Sequence, residues 1–236
     1  GQSYELVQTA CWHRCALAET LDGERRGSAL DGARRLAARL PGLMPLADRE
    51  TLKSAARTNL DIAGLADDRP AIERWAAEAR SPYHRQLLAS LARNAAGERI
   101  RLPFRRTIQK YDTCLPTSLA AAMSAGGIHV SANEMAADLT SGGTPEWAAA
   151  DWLRGRGYHV RFFSASPDVA TRLIRSGIAF IVSWEADEAG HAVAVVGFDE
   201  RAEIFLVHDP NFFRSAEYLF AAFDPQPSPL GIRAMA

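Results

Sequence analysis

Apolar residues recur at three- and four-residue steps through residues 1–98, which is the period of an amphipathic helix. Leu36, Leu40 and Leu43 form one such series. Alanine, leucine, arginine and glutamate dominate this part of the chain, and β-branched residues are scarce. Ser28 is typical of a helix start. We predict five helices, in segments 3–21, 28–40, 48–65, 69–79 and 81–96, and hence a helical bundle or helical-repeat domain over residues 1–98.

From residue 99 to residue 236 the pattern changes to short helices and strands, which we take as a second domain. RIRLPFRRTIQ contains Pro103 and is predicted to be extended. Further helices are predicted after Cys114 and in segments 131–139, 144–157 and 166–177. Strands are predicted in segments 158–165, 178–185, 191–199, 203–210 and 231–236. Helices that precede an antiparallel sheet are typical of the α+β class.

Composition excludes several classes of function. The chain has 27 basic and 28 acidic residues and a net charge of −1, so no global field favours nucleic acid or an anionic membrane. No apolar run reaches membrane-spanning length. The chain begins with glycine, so we expect its N-terminus to have been processed or cut from a longer chain. Of three cysteines, Cys11 and Cys15 share one face of a predicted helix, which favours core packing over a disulfide or a metal site.

Cys114 stands where a helix is predicted to begin, between the polar run QKYDT and the helix-forming run LPTSLAAAMSA. The exposed N–H groups and the positive dipole end of a helix start stabilise a thiolate. Pro116 fits the first turn, because its missing N–H would have no helical partner there. The position therefore predicts a nucleophilic cysteine, which requires a base.

His191 is the best candidate base among six histidines, because it opens the apolar strand HAVAVVGF, where a polar ring needs a partner. We predict a hairpin in which Phe198 lies opposite Ala202. In that register His191 lies opposite Asp209, on the same face. A slip of one residue would offer His208 instead. Asp-Pro is also common in a turn that ends a strand, so this alternative stays open.

Gln109 is a candidate oxyanion residue, because a side-chain amide just before a nucleophile can donate to a developing oxyanion. With Cys114, His191 and Asp209, in this order, it resembles the papain-like cysteine peptidases. More narrowly, the chain resembles the C39-like peptidase family, related to the bacteriocin-processing double-glycine peptidases. The resemblance covers about residues 100–236 and rests on QKYDTCLPTSLAA, SGGTPEWAAADWLRGRGYHVRFF, SGIAFIVSW and GHAVAVVGFDERAEIFLVHDP.

The resemblance implies a papain-like domain, in which the helix that carries the cysteine packs on an antiparallel sheet. It implies Cys114 as nucleophile, His191 as base, Asp209 as orienting acid and Gln109 in the oxyanion hole. The helical half is similar to helical regions of tetratricopeptide type in which some bacterial C39-like domains are embedded. The chain is therefore expected to be a piece of a longer protein.

The implied function is thiol-dependent hydrolysis of a peptide or related amide bond, without metal or cofactor, in a peptide or protein substrate. Trp184 is expected to line the cleft, although a core position is equally consistent. Leu115, where many members of the family have glycine, is also expected to contact substrate. A reactive thiol fits the reducing cytoplasm.

Three alternatives stay open. Acyl transfer to an amine would use the same residues. The chain could instead be an inactive, peptidase-like binding module whose helical half holds a partner protein. A metal site built from Cys114, His191 and Asp209 is the least favoured, because a thiolate at a helix start already accounts for these residues.

Overall fold

The chain divides into two compact units, Gly1–Arg93 and Asn94–Ala236. The computed structural model describes residues 3–43, 49–79, 82–93, 96–186, 189–212, 216–220 and 232–236. Within these residues, no helix combines the length and apolar character that crossing a membrane requires.

The first unit is helical throughout its described residues. Its helices are α1 (Tyr4–Thr20), α2 (Gly23–Ala37), α3 (Arg49–Leu65), α4 (Arg69–Ala79) and α5 (Pro82–Arg93). The prediction that a helix starts at Ser28 was wrong. Helix α2 begins five residues earlier, after the N-cap residue Asp22, and continues through Ser28 because alanine and leucine follow it.

Cys11 and Cys15 are fully buried in the core of this unit, where they pack with Val7, Ala33 and Leu40. Burial raises the pKa of the Cys11 thiol to about 11, because an apolar environment disfavours the thiolate. Both cysteines pack as small hydrophobic side chains, in agreement with their helical spacing.

The second unit is an α+β fold, as predicted. Its helices are α6 (Cys114–Ala125), α7 (Ala132–Leu139), α8 (Glu146–Arg154) and α9 (Pro167–Arg175). Its strands are β1 (Arg99–Arg101), β2 (Phe162–Ala165), β3 (Phe180–Ala186), β4 (Ala189–Asp199), β5 (Ile204–His208), β6 (Ala216–Leu219) and β7 (Ile232–Met235). The strands pair antiparallel in the order β2-β7-β3-β4-β5-β6, and β1 pairs with β4. Strand β6 was not predicted.

Helices cover both faces of the central strand β4. On one face, Ala194 and Val196 belong to a core with Leu119 of α6. On the other face, Val195 packs in a second core with Ile174 of α9. A strand that is buried on both faces needs apolar residues at successive positions, which explains why HAVAVVGF does not alternate with polar residues.

The hairpin between β4 and β5 has a different register from the predicted one. Phe198 lies opposite Phe205, and not opposite Ala202. The difference arises because the turn, residues 200–203, is longer than expected, and Glu203 adopts a positive φ of 53° within it. If this register continued to the end of β5, Asp209 would lie opposite Ala194. Its side chain would then be on one face of the sheet and that of His191 on the other.

A β-bulge corrects that placement. The register shifts by one residue between Val195 and Gly197, so that Ala194 lies opposite His208. Continued along the strands, the new register puts Asn211 opposite His191 and puts Asp209 at the diagonal position. Diagonal neighbours on one face are within reach of long side chains. The bulge therefore brings His191 and Asp209 to the same face.

Candidate active site

Cys114 is the first residue of α6, and its side chain is half-buried. The ring of His191 and the backbone N–H groups of Ala192 and Leu115 stabilise the thiolate form of Cys114 and so lower its pKa. The Ser118 hydroxyl, one turn further along α6, donates to the carbonyl of Ala192 over 2.9 Å. This bond ties helix α6 to the residue that follows His191.

His191 and Asp209 are hydrogen-bonded, with 3.0 Å between Nε2 of the ring and Oδ1 of the carboxylate. A carboxylate accepts, so Nε2 carries the proton and Nδ1 is the nitrogen left for the Cys114 thiol. The Asp209 side chain is only 6% exposed, against 19% for His191. Its Oδ1 also accepts from the backbone N–H of Asn211 over 2.9 Å, which fixes the carboxylate behind the ring.

The Cys114 thiol and the His191 imidazole shift each other's pKa in opposite directions. Burial alone would raise the pKa of Cys114, but hydrogen bonding to His191 and to backbone N–H groups outweighs it and lowers that pKa below its ordinary value. The pKa of His191 rises to about 9, first because of the hydrogen bond to Asp209 and then because of the bond to Cys114. The environment therefore favours a thiolate–imidazolium pair.

Gln109 lies in the segment that precedes α6 and is anchored next to Asp209. Its backbone N–H donates to the carbonyl of Pro210 over 2.9 Å. Its side-chain Oε1 is buried and has no hydrogen-bond partner among the described residues. The structure thus brings the backbone of this glutamine to Pro210, the residue that follows Asp209.

The two predicted substrate-contacting residues have different outcomes. The Leu115 side chain is only 3% exposed and packs with Leu119 and Met135 in the core, so it does not line a cleft. The expected contact of the Leu115 side chain with substrate is therefore wrong, because that side chain fills the core. The backbone of Trp184 pairs with His191 in the sheet, but its side chain lies outside the described part of the structure.

His208 supports the segment that carries Gln109, a role that sequence reasoning did not find. It is fully buried, and its Nε2 donates to the carbonyl of Thr107 over 3.0 Å. Its ring also contacts that of Phe104, with 5.2 Å between centroids. Burial lowers the pKa of His208 to about 4, so the ring is neutral at pH 7. The only local feature of the sequence that could have indicated this role is the position of His208 directly before Asp209.

The chemistry available at this site is that of an activated thiol. A sulfur whose thiolate is stabilised by an imidazole and by backbone N–H groups at a helix start is a good nucleophile, and the adjacent imidazolium can return a proton to a leaving group. Among the described residues, no cluster of three or more His, Cys, Asp or Glu side chains could hold a metal ion. The residues that are present fit acyl chemistry at a carbonyl carbon.

A known protein family matches the part of the chain that holds this site. The model of the Peptidase_C39 like family matches residues 100–224, which include Gln109, Cys114, His191 and Asp209. Among curated proteins, none matches the chain. The chain is similar to the solved peptidase domain of Streptococcus ComA, a bi-functional ABC transporter involved in a quorum-sensing pathway. The two share 16% identity at a TM-score of 0.46, over 57% of this chain and 97% of that chain.

Proposed function

Since the chain belongs to the Peptidase_C39 like family, we propose that it hydrolyses peptide bonds with Cys114 as nucleophile. The observation that carries this proposal is the hydrogen-bonded series from the Cys114 thiol through His191 to Asp209. A nucleophile, a base and a group that orients the base are the three parts that covalent acyl transfer requires. A mechanism that needs a reduced thiol also fits the reducing cytoplasm.

In the first half-reaction, the proton of Cys114 resides on Nδ1 of His191, and the thiolate attacks the carbonyl carbon of the substrate. A carbon–sulfur bond forms, and the negative charge moves to the carbonyl oxygen. The Gln109 amide and the backbone N–H of Cys114 donate to that oxygen. The tetrahedral intermediate then breaks the carbon–nitrogen bond, and the leaving amine takes the proton from His191.

In the second half-reaction, neutral His191 takes a proton from water, and the resulting hydroxide attacks the thioester. The carbon–sulfur bond breaks, the acid product leaves, and the thiolate–imidazolium pair is restored. Throughout, Asp209 holds the ring in one orientation and stabilises its cationic form. Cys114 and His191 thus return to their starting states without any redox step.

Alkylation by iodoacetamide tests the nucleophile. We expect Cys114 to react fastest of the three cysteines at pH 7, because its pKa is lowered while burial raises that of Cys11. The variant His191→Ala should slow the alkylation of Cys114 by roughly tenfold or more, since the thiolate loses its cationic partner. Mass spectrometry of tryptic peptides identifies the labelled cysteine and gives its rate.

Turnover is tested separately, with a pool of unmodified peptides and mass-spectrometric detection of new termini. Cleavage that disappears in Cys114→Ser but persists in Cys11→Ser supports a cysteine peptidase. If Cys11 or Cys15 is alkylated as fast as Cys114, the nucleophile is misassigned. If Cys114 is labelled rapidly but no peptide in the pool is cut, hydrolysis is not its activity on such substrates.

A further inference from the structure

A cleft of about 510 Å³ runs along α6, beside the candidate active site. Its walls include Thr107 and Lys110, on either side of Gln109, and Thr113, which directly precedes Cys114. The segment in front of α6 is held against that helix by a hydrogen bond of 2.7 Å from the Arg105 N–H to the Ser124 hydroxyl. The cleft is thus bounded by the same segments that carry the proposed nucleophile and oxyanion residue.

Among the described residues that line this cleft, the charged side chains are basic. Arg105 and Lys110 lie on its wall with His129, and no acidic residue is among the described residues that line it. In the described part of the chain, neither Arg105 nor Lys110 forms an ion pair. Arg154 of α8, by contrast, lies 3.0 Å from the carboxylate of Asp151. In a chain with balanced charge, unpaired cations in a concave surface point to an anionic ligand.

Thr117 contributes a hydroxyl group to the lining of the cleft, and the residue is only 2% exposed. A hydroxyl group that lines a cleft can donate a hydrogen bond to a ligand. Ala132 and Asn133, in the first turn of α7, form part of the same wall and add the positive end of that helix.

We propose that this cleft is a substrate subsite that binds a carboxylate. Arg105 and Lys110 supply the positive charge, and the Thr117 hydroxyl supplies a hydrogen bond at the base of the cleft. The proposal rests on the function proposed for Cys114 and adds a substrate class to it, acidic peptides. The carboxylate belongs either to an aspartate or glutamate side chain or to the C-terminus of the substrate.

Paired peptides test the subsite during turnover. A peptide pool is synthesised in which glutamate or glutamine occupies each position, and both forms compete in one reaction. We expect glutamate to be preferred by about tenfold at one position, the effect of one charge-assisted hydrogen bond. Arg105→Gln, Lys110→Gln and Thr117→Val should each reduce that ratio. The ratio is measured within one reaction, so a general change in activity cancels.

Arg154→Gln is the matched control, because it removes an exposed arginine that is already paired with Asp151. It should leave the glutamate preference unchanged. Equal cleavage of the glutamate and glutamine forms by the wild type at every position would overturn the proposal. So would a preference that Arg105→Gln and Lys110→Gln together leave intact.

A binding measurement decides the question independently of turnover. The variant Cys114→Ala is titrated with N-acetylglutamic acid α-amide, with its glutamine analogue and with N-acetylglycine. We expect the NMR signals of the Arg105 Nε–H and the His129 ring to shift saturably with a carboxylate and not with the glutamine analogue. Saturation by the glutamate probe indicates a side-chain carboxylate, and saturation by N-acetylglycine indicates a terminal one.

The two proposals fail in different ways. If no peptide is cut but the carboxylate probe saturates its signals, the hydrolytic function is wrong and the anion subsite stands. If peptides are cut without acidic preference and the probes cause no saturable shift, the hydrolytic function stands and the subsite is wrong. Loss of the shift in Arg105→Gln, with retention in Arg154→Gln, assigns the binding to the cleft.

Discussion

The two ring nitrogens of His191 face different groups. Nε2 donates to Asp209, and Nδ1 faces the thiol of Cys114. The pKa of His191 is raised to about 9, and that of Cys114 is lowered. The thiolate–imidazolium pair is therefore the main form at pH values between the two pKa values. Above pH 9 the imidazolium loses the proton that a leaving amine needs. Below the pKa of Cys114 the thiolate is protonated, so activity should follow a bell-shaped pH profile.

Asp209→Asn should lower the upper limit of that profile. Asparagine retains an Oδ1 that can accept from the Asn211 N–H, but it removes the negative charge that raises the pKa of His191. We expect that pKa to fall by roughly one pH unit or more. NMR titration of the His191 ring and the pH dependence of Cys114 alkylation measure the change. The control Asp151→Asn, which removes an exposed carboxylate on α8, should leave the pKa of His191 unchanged. An equal fall of that pKa in Asp151→Asn would show a general effect of charge.

The sequence was informative about residues whose role depends on their own element. Cys114 could be placed at a helix start and His191 in a strand, because the signals for both elements are local. Ser118 and His208 could not be assigned a role, because their partners Ala192 and Thr107 lie 74 and 101 residues away in the chain. A buried hydrogen bond across that separation leaves no periodicity in the sequence.

At the scale of elements, the β4–β5 hairpin shows how a correct pair can come from a wrong register. Both the predicted and the observed pairing put His191 and Asp209 on one face, but the observed one needs a longer turn and a bulge. The longer turn alone would put the two side chains on opposite faces, and the bulge returns them to one face. Neither could be predicted, because a bulge depends on tertiary packing, here the approach of β1 to Gly197.

Gly197→Ala should destabilise the second unit. A Cβ at this position would meet the carbonyl oxygen of Ile100 and lie 3.0 Å from the Cα of Arg101, so β1 would have to move away from β4. Overpacking of this kind costs about 1–3 kcal/mol of unfolding free energy. Urea unfolding, with the slope compared between variants, measures the loss.

Gly126→Ala provides the matched comparison for that substitution. Its φ is −87°, and an added Cβ would lie 3.6 Å from the nearest atom, the carbonyl oxygen of Met123. It should leave stability unchanged or raise it by up to about 1 kcal/mol. If both variants unfold at the same urea concentration, the close approach at Gly197 does not constrain the sheet.

At the scale of the whole molecule, each unit has its own hydrophobic clusters. The two clusters of the second unit draw their buried residues from positions 115–235, and those of the first unit from positions 7–76. The groups that stabilise the Cys114 thiolate and those that hydrogen-bond to Asp209, as described above, belong to the second unit. A unit that holds both its core and its site should be stable and reactive without the rest of the chain.

A fragment of residues 94–236 should therefore fold and keep a reactive Cys114. We expect one cooperative thermal transition. We also expect an alkylation rate within about twofold of that of the full chain. A tenfold change would correspond to about 1.4 kcal/mol of activation free energy. Differential scanning calorimetry and iodoacetamide labelling of both proteins at pH 7 make the comparison, with the Cys114→Ser fragment as the blank. A fragment that folds cooperatively but is labelled tenfold more slowly would mean that the helical unit is needed to activate the thiol. A fragment that does not fold would mean that the two clusters of the second unit are insufficient by themselves.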